Sequence, residues 1–252
     1  MKKTVFAAIL FTLTVIILFS CKPEKKWDCF KGTGKSAIKE VYLTSYDSLY
    51  IDGQMTVNLI QDTTDYVVFS GGENLLAKID ATIEDHSMTL KDNNHCRWVR
   101  SYKKAKITAD VHFSRLLKVI FYKGADLFSP DTLYLDTLII SIWSKIGTVD
   151  LLIDAQYTAI KLNAATGDYF LRGKSDFNYM YSVGNGNIYT DELQSKNGDI
   201  YCNSTGKTTF WISEKVKLKI LNSGNVYYRL PKPTIELVKR DCATGEIFPL
   251  SD

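Results

Sequence analysis

A chain of 252 residues, 45% hydrophobic and 23% charged, has ample material for a packed core, which excludes a disordered or fibrous protein. Its formal charge of +3 includes Lys2 and Lys3 of a leader segment. Without those two of the 31 Lys and Arg residues, 29 face 28 acids, a balance that gives no field for coating nucleic acid or an anionic membrane.

The leader comes first in chain order. Lys2 and Lys3 precede an uncharged apolar run, Val5 to Phe19, and Ser20-Cys21 follows. The run is short for a membrane-spanning helix of ~20 residues and suits the apolar region of a secretory signal peptide over residues 1–20. A Cys directly after a small residue resembles the lipobox of bacterial lipoproteins, with Phe19 bulkier than usual at its position. That resemblance implies diacylglycerol on the Cys21 thiol, cleavage before it, and acylation of the new N-terminus. Several acyl chains suffice for stable anchoring. Residues 21–39 read as a lipidated tether, with Lys22-Pro23-Glu24-Lys25-Lys26 charged and solvated. No Asp follows Cys21, so the expected location is a bacterial cell envelope, with the outer membrane favoured and its face left open.

Within the tether, Gly32-Thr33-Gly34-Lys35-Ser36 looks like the end of a nucleotide-binding loop. That loop needs a first Gly where Cys29 stands, and a buried strand before it. Glu24 to Asp28 is polar instead, so the match is rejected. Four cysteines remain after the anchor: Cys29, Cys96, Cys202 and Cys242. In an exported chain they are candidates for disulfides, with Cys29–Cys96 and Cys202–Cys242 the favoured pairs, or for buried free thiols.

From residue 40 to 252 one β domain is expected, opening with an N-terminal β-strand region. Met55 to Ile60 and Tyr66 to Phe69 read as strands of a hairpin turning at Asp62-Thr63-Thr64-Asp65. Glu73 to Lys78 is the one helix candidate, of a turn or two. Ile79, Ala81 and Ile83 alternate with polar residues up to a turn at Asp85-His86-Ser87, and Lys106 to Phe113 alternates again.

Beyond residue 114 the chain becomes repetitive. Glycines recur at 124, 147, 167, 186, 206, 224 and 245, and several read Gly-Asp/Asn-apolar: Gly167-Asp168-Tyr169, Gly186-Asn187-Ile188 and Gly224-Asn225-Val226. Gly198-Asp199-Ile200 is a copy out of phase. A period near 20 of short strands and Gly/Asn/Asp corners predicts a β-solenoid whose stacked coils share one core. An antiparallel sandwich is the competing reading.

These stretches resemble a known family, the "putative autotransporter adhesin, head GIN domain" lipoproteins of Bacteroidota. The resemblance rests on Gly71 to Leu76 with Ile79, on Asn93 to Tyr102, and on Ser223-Gly224-Asn225-Val226-Tyr227-Tyr228, together with the Gly-Asp/Asn-apolar repeats. Ala125 and Ala164-Ala165 depart from it, standing where Gly or Ser is expected. It implies an all-β fold, a right-handed, parallel β-helix-like solenoid, and a cell-envelope location, and it points to no catalytic residue.

The residues themselves carry little catalytic signal. His86, His95 and His112 have no metal-ligand spacing, and no metal or cofactor is expected. Arg97, Trp98, Arg100, Tyr102, Lys103 and Lys104 form a basic–aromatic run, the best local candidate for an anionic ligand, although an inward-packed hairpin explains it as well. Asp150, Asp154, Asp168, Asp191, Glu192 and Asp199 could supply paired acids of a solenoid polysaccharide enzyme, but most coincide with turns, where Asp serves local hydrogen bonds. Asp47-Ser48-Leu49, Asp131-Thr132-Leu133 and Asp136-Thr137-Leu138 also match a short O-glycosylation pattern. The expected function is a lipid-anchored binding or scaffolding protein of adhesin type, not an enzyme, with an unknown glycan or protein ligand and no nucleic acid. A polysaccharide-processing enzyme on the same solenoid is the alternative.

Overall fold

The computed structural model of the protein describes residues 32–94, 106–143 and 147–250; Cys21, Cys29, Cys96 and the run from Arg97 to Lys104 lie outside the described residues. The strands before the repeats are β1 (Ser36–Tyr42), β2 (Ser48–Asp52), β3 (Thr56–Gln61), β4 (Tyr66–Gly72), β5 (Ile79–Glu84), β6 (Ser87–Asp92) and β7 (Thr108–Phe113). A single helical turn, α1 (Glu73–Leu76), separates β4 from β5. The repeat region contributes β8 (Lys118–Phe121), β9 (Asp126–Phe128), β10 (Leu133–Ile142), β11 (Val149–Ala165), β12 (Asp168–Gly184) and β13 (Asn187–Ser204). It ends with β14 (Thr208–Ile220), β15 (Val226–Tyr228), β16 (Thr234–Lys239) and β17 (Ile247–Pro249).

The fold is a β-solenoid of about six turns. One wall stacks β6, β2, β8, β10, β11, β12, β13, β14 and β16 in parallel register. A second wall stacks β7, β3, β9, β11, β12, β13, β14, β15 and β17. The strands β11 to β14 run to 17, 17, 18 and 13 residues because they bend round corners and serve a third wall between those two.

Residues one coil apart sit directly above one another, so the core is built of columns. Met88, Leu49, Val119, Ile140, Ile160, Met180, Ile200 and Leu218 form one, each nearly inaccessible to solvent. Ala109, Val57, Leu127, Val149, Tyr169, Ile188, Thr208 and Val226 form the column of the second wall. The alternation of inward apolar and outward polar residues that marks a half-buried strand therefore continues vertically through the molecule. A few polar groups interrupt the core and satisfy each other. Asn178 accepts from the Thr158 hydroxyl at 3.3 Å and donates to Thr190 at 3.2 Å, and Thr190 donates to the Thr209 carbonyl at 2.9 Å. The hydroxyl of Thr208 is buried without a partner.

The period near 20 has a close-packing cause. A Cβ on Gly206 would overlap the carbonyl oxygen of Gly186 one coil below. The same carbonyl-over-glycine contact recurs at Gly147, Gly167, Gly224 and Gly245. Gly167 also has φ +135°, a conformation L side chains rarely adopt. The polar residue after several of these corners ties coil to coil. Asp126 accepts from the Thr148 amide at 3.1 Å, Asn187 from that of Lys207 at 2.7 Å, and Asn225 from that of Glu246 at 3.0 Å. The two alanine departures are accommodated. Ala125 offers its carbonyl to the Gly147 corner, and Ala164 takes φ +57° at a register shift in β11.

Two expectations are corrected. Residues 62–65 do not close a hairpin: β7 lies between β3 and β4, parallel to the first and antiparallel to the second. The chain thus lays down the coil of β2 and β3, returns beneath it as β6 and β7, and then climbs past it to β8 and β9. Local β propensity cannot reveal such non-sequential stacking. Second, the tether does not extend to residue 39, because β1 starts at Ser36 and pairs with β4. Gly32 to Lys35 is pinned as well: the Glu73 amide donates to the Lys35 carbonyl at 2.8 Å and the Asn74 amide to that of Thr33 at 3.1 Å. The stretch that resembled a phosphate loop presents carbonyls to a helix start, the reverse of what a phosphate needs. Of the two readings of Cys202 and Cys242, the structure has free thiols, Cys202 buried in a core column and Cys242 exposed.

Two substitutions test this packing. Gly206→Ala forces a methyl into the Gly186 carbonyl and should lower stability by about 1–3 kcal/mol in urea unfolding. Thr208→Val removes a buried hydroxyl with no partner and should raise stability by about 1 kcal/mol; a loss of similar size would refute the column assignment.

Candidate functional site

The outward side chains form columns too. On the first wall Tyr157 stacks on Phe177 with ring centroids 5.7 Å apart, and Tyr181 on Tyr201 at 5.0 Å, with interplanar angles of 8° and 17°. Tyr179 sits between these ladders, with the Lys161 ammonium 5.6 Å from its ring. Aromatic faces that stack along the axis are consumed by one another, so this wall shows ring edges and phenol hydroxyls to solvent. Burial raises the Tyr157 and Tyr179 phenols above the ordinary tyrosine range, and Asp199, which shares the wall, adds to both shifts.

A trough of about 1110 Å³ runs along the third wall, spanning successive coils. Leu135, Ala155, Ser175 and Ser195 share one register position and form its floor. Beside the floor stand Tyr134, Asp154, Lys174 and Gln194 in one column, and Asp136, Gln156, Asp176 and Lys196 in another. At its first end lie Gln61, Ser114 and Arg115. Gln61 fixes this end by donating to the Tyr134 carbonyl at 2.8 Å and accepting from its amide at 2.9 Å.

The candidate acids are dispersed rather than assembled. Asp150 and Glu192 flank one guanidinium, that of Arg172, at 3.0 and 3.2 Å. Asp168 accepts from Asn187 at 2.8 Å, and Asp191 accepts from the Thr209 hydroxyl. Asp199 lies on the aromatic wall, and only Asp154 reaches the trough. Of the three trough carboxylates, Asp176 pairs with Lys196 at 2.7 Å and Asp136 accepts from Gln156 at 3.4 Å. Asp154 alone makes no bond to another described residue. Among the described residues no group of three or more His, Cys, Asp or Glu is arranged to hold a metal. His112 contacts the Asp62 carboxylate at 3.0 Å and stacks on Tyr66 at 4.0 Å, and His86 occupies a β-turn at φ +58°. The Thr63 amide and His112 together hold the Asp62 carboxyl below its usual range.

Sequence reading reached Asp154 but missed Tyr134, Lys174 and Gln194. The signal was present, because these positions follow one another at the 20-residue offset that relates the glycine corners. Trp211 falls 17 residues after Gln194 yet pairs with it, owing to register shifts in the β13–β14 ladder.

The geometry is that of a β-solenoid with a trough along one wall and dispersed carboxylates. The chain belongs to the family described as "Putative auto-transporter adhesin, head GIN domain", whose model matches residues 45–229. Solved structures share the fold. A crystal structure of a putative adhesin from Bacteroides fragilis has a TM-score of 0.76 at 19% identity, covering 86% of this chain and 97% of that one. A putative lipid binding protein from Parabacteroides distasonis gives 0.63 at 13% identity, covering 87% and 98%. A putative adhesin from Parabacteroides merdae gives 0.58 at 17%, covering 87% and 98%. No curated protein matches the chain.

The aromatic wall is testable by its electrostatics. Asp199→Asn removes the carboxylate charge that opposes phenolate formation at Tyr157 and Tyr179, so both phenols should ionise at lower pH. Ultraviolet difference titration of the variant should show the shift; an unmoved titration curve would contradict the placement of Asp199.

Proposed function

We propose that the chain is a lipid-anchored cell-envelope protein of adhesin type that works by binding, held to the membrane through acylated Cys21 and presenting its solenoid wall to a glycan or protein. The observation that carries this reading is the trough. It offers an extended lining of paired and unpaired polar side chains across consecutive coils, the repeated surface that solenoids use for extended partners.

Polysaccharide hydrolysis would require two carboxyl groups set a few ångströms apart across one glycosidic bond. The dispersal of Asp150, Asp168, Asp191, Glu192 and Asp199 among ion pairs, coil-to-coil bonds and the aromatic wall supports binding instead. The family's adhesin description points the same way.

The anchor is tested by Cys21→Ser. The variant should lose metabolic labelling by fatty acid and move from the membrane fraction to the soluble fraction of fractionated cells. Retention of the unlabelled variant in membranes would overturn the anchoring.

A further inference from the structure

Five consecutive coils place Tyr134, Asp154, Lys174, Gln194 and Trp211 in a single outward column. At a coil spacing of about 4.8 Å the column is about 19 Å long. An aromatic ring stands at each end. Tyr134 is 66% exposed and stacks on no other described ring. Trp211 is half-buried, with the Arg229 guanidinium carbon 4.8 Å from its ring centroid. Between the rings Asp154, Lys174 and Gln194 are exposed and bond to no other described residue. The column across the trough differs, since its members are paired with one another: Gln156 with Asp136 and Lys196 with Asp176. One side of the trough is therefore self-satisfied and the other is open to a ligand.

The chemistry of the open side selects among ligands. Three carboxylates, Asp136, Asp154 and Asp176, face three cations, Arg115, Lys174 and Lys196, so neither a polyanion nor a polycation is favoured. The strands of this wall are hydrogen-bonded to the coils above and below, which leaves no strand edge for an extended peptide to join. Recognition must pass through side chains. Carboxylate, ammonium and carboxamide together accept and donate to hydroxyls in either sense, while exposed aromatic faces take up apolar C–H surface. The tyrosine ladders of the first wall lack this second feature, their faces being turned on each other.

We propose that the Tyr134–Trp211 column binds a linear, uncharged oligosaccharide laid parallel to the solenoid axis. The proposal rests on the binding-module reading above and adds the ligand class and the residues that read it. Asp154, Lys174 and Gln194 hydrogen-bond successive sugars, Tyr134 stacks on one end, and Trp211, with Arg229 against its ring, bounds the other.

The test is isothermal titration of the full-length lipoprotein in detergent with neutral hexasaccharides: cellohexaose, laminarihexaose, xylohexaose and mannohexaose. Oligogalacturonate and a neutral hexapeptide are run in parallel, and every mixture is assayed for new reducing ends. At least one neutral hexasaccharide should bind. The double variant Tyr134→Ala/Lys174→Ala should weaken that binding about tenfold or more, while Tyr181→Ala on the first wall should leave it within about twofold. Gln194→Ala, an exposed change, repeats the test independently should the double variant melt early. Absence of binding by every neutral hexasaccharide, or binding that these trough variants do not weaken, overturns the proposal. Binding of only oligogalacturonate or peptide overturns the ligand class while leaving a binding module. Release of reducing ends overturns the binding-module reading itself.

Discussion

The structure depends on the closeness with which one coil can lie on the next at the glycine corners. There the backbone turns with a carbonyl oxygen of the coil below occupying the space a Cβ would need, as at Gly206 over Gly186. Wherever that contact holds, the coils keep hydrogen-bonding distance and the parallel ladders continue through the adjoining walls. The Asp and Asn side chains that follow several of these corners then reach an amide of the neighbouring coil and fix the register. Because side chains alternate strictly along a strand, a slip of one residue would exchange core and solvent faces.

That fixed register converts a one-dimensional repeat into columns, and the columns separate tasks. Inward positions carry the shared apolar core, which no single coil could close by itself. Outward positions are free to differ from wall to wall. On one wall they became aromatic ladders that pack against themselves; on another they became a trough with one satisfied and one open side. The ends differ as well. β1, β4 and β5 cover the first coils with antiparallel pairing. At the far end β16 follows Pro231 and Pro233 and exposes most of its residues, and proline near an edge discourages further strand pairing. Binding along the side is consistent with a solenoid whose ends are closed or guarded.

Much of this was legible in the sequence, for identifiable reasons. The corners are chemically restricted, so Gly147, Gly167, Gly206, Gly224 and Gly245 betray the period directly. The short helix at Glu73 and the turn at Asp85-His86 were visible from local preferences. The path of β2 to β9 was not, because the coil of β6 and β7 is inserted beneath one made earlier, and pairing order leaves no local mark. Cys202 stayed open between a disulfide and a buried thiol for a similar reason: its neighbours are Ser182 and Ile220, each one coil away. The trough lay between these cases. Tyr134, Asp154, Lys174 and Gln194 share the glycine period, but outward residues have no common type to draw the eye. Only the register shows that they touch the same space.

The central claim is that function resides on the side wall, one residue per coil, rather than in a catalytic pocket or at a sheet edge. Backbone amide chemical-shift mapping of the protein with the neutral hexasaccharide that binds it addresses this directly. The account predicts perturbations recurring once per coil around residues 134, 154, 174, 194 and 211, with β16, β17 and the tyrosine ladders unchanged. Perturbations gathered at the β16–β17 edge, or confined to a single coil, would contradict it.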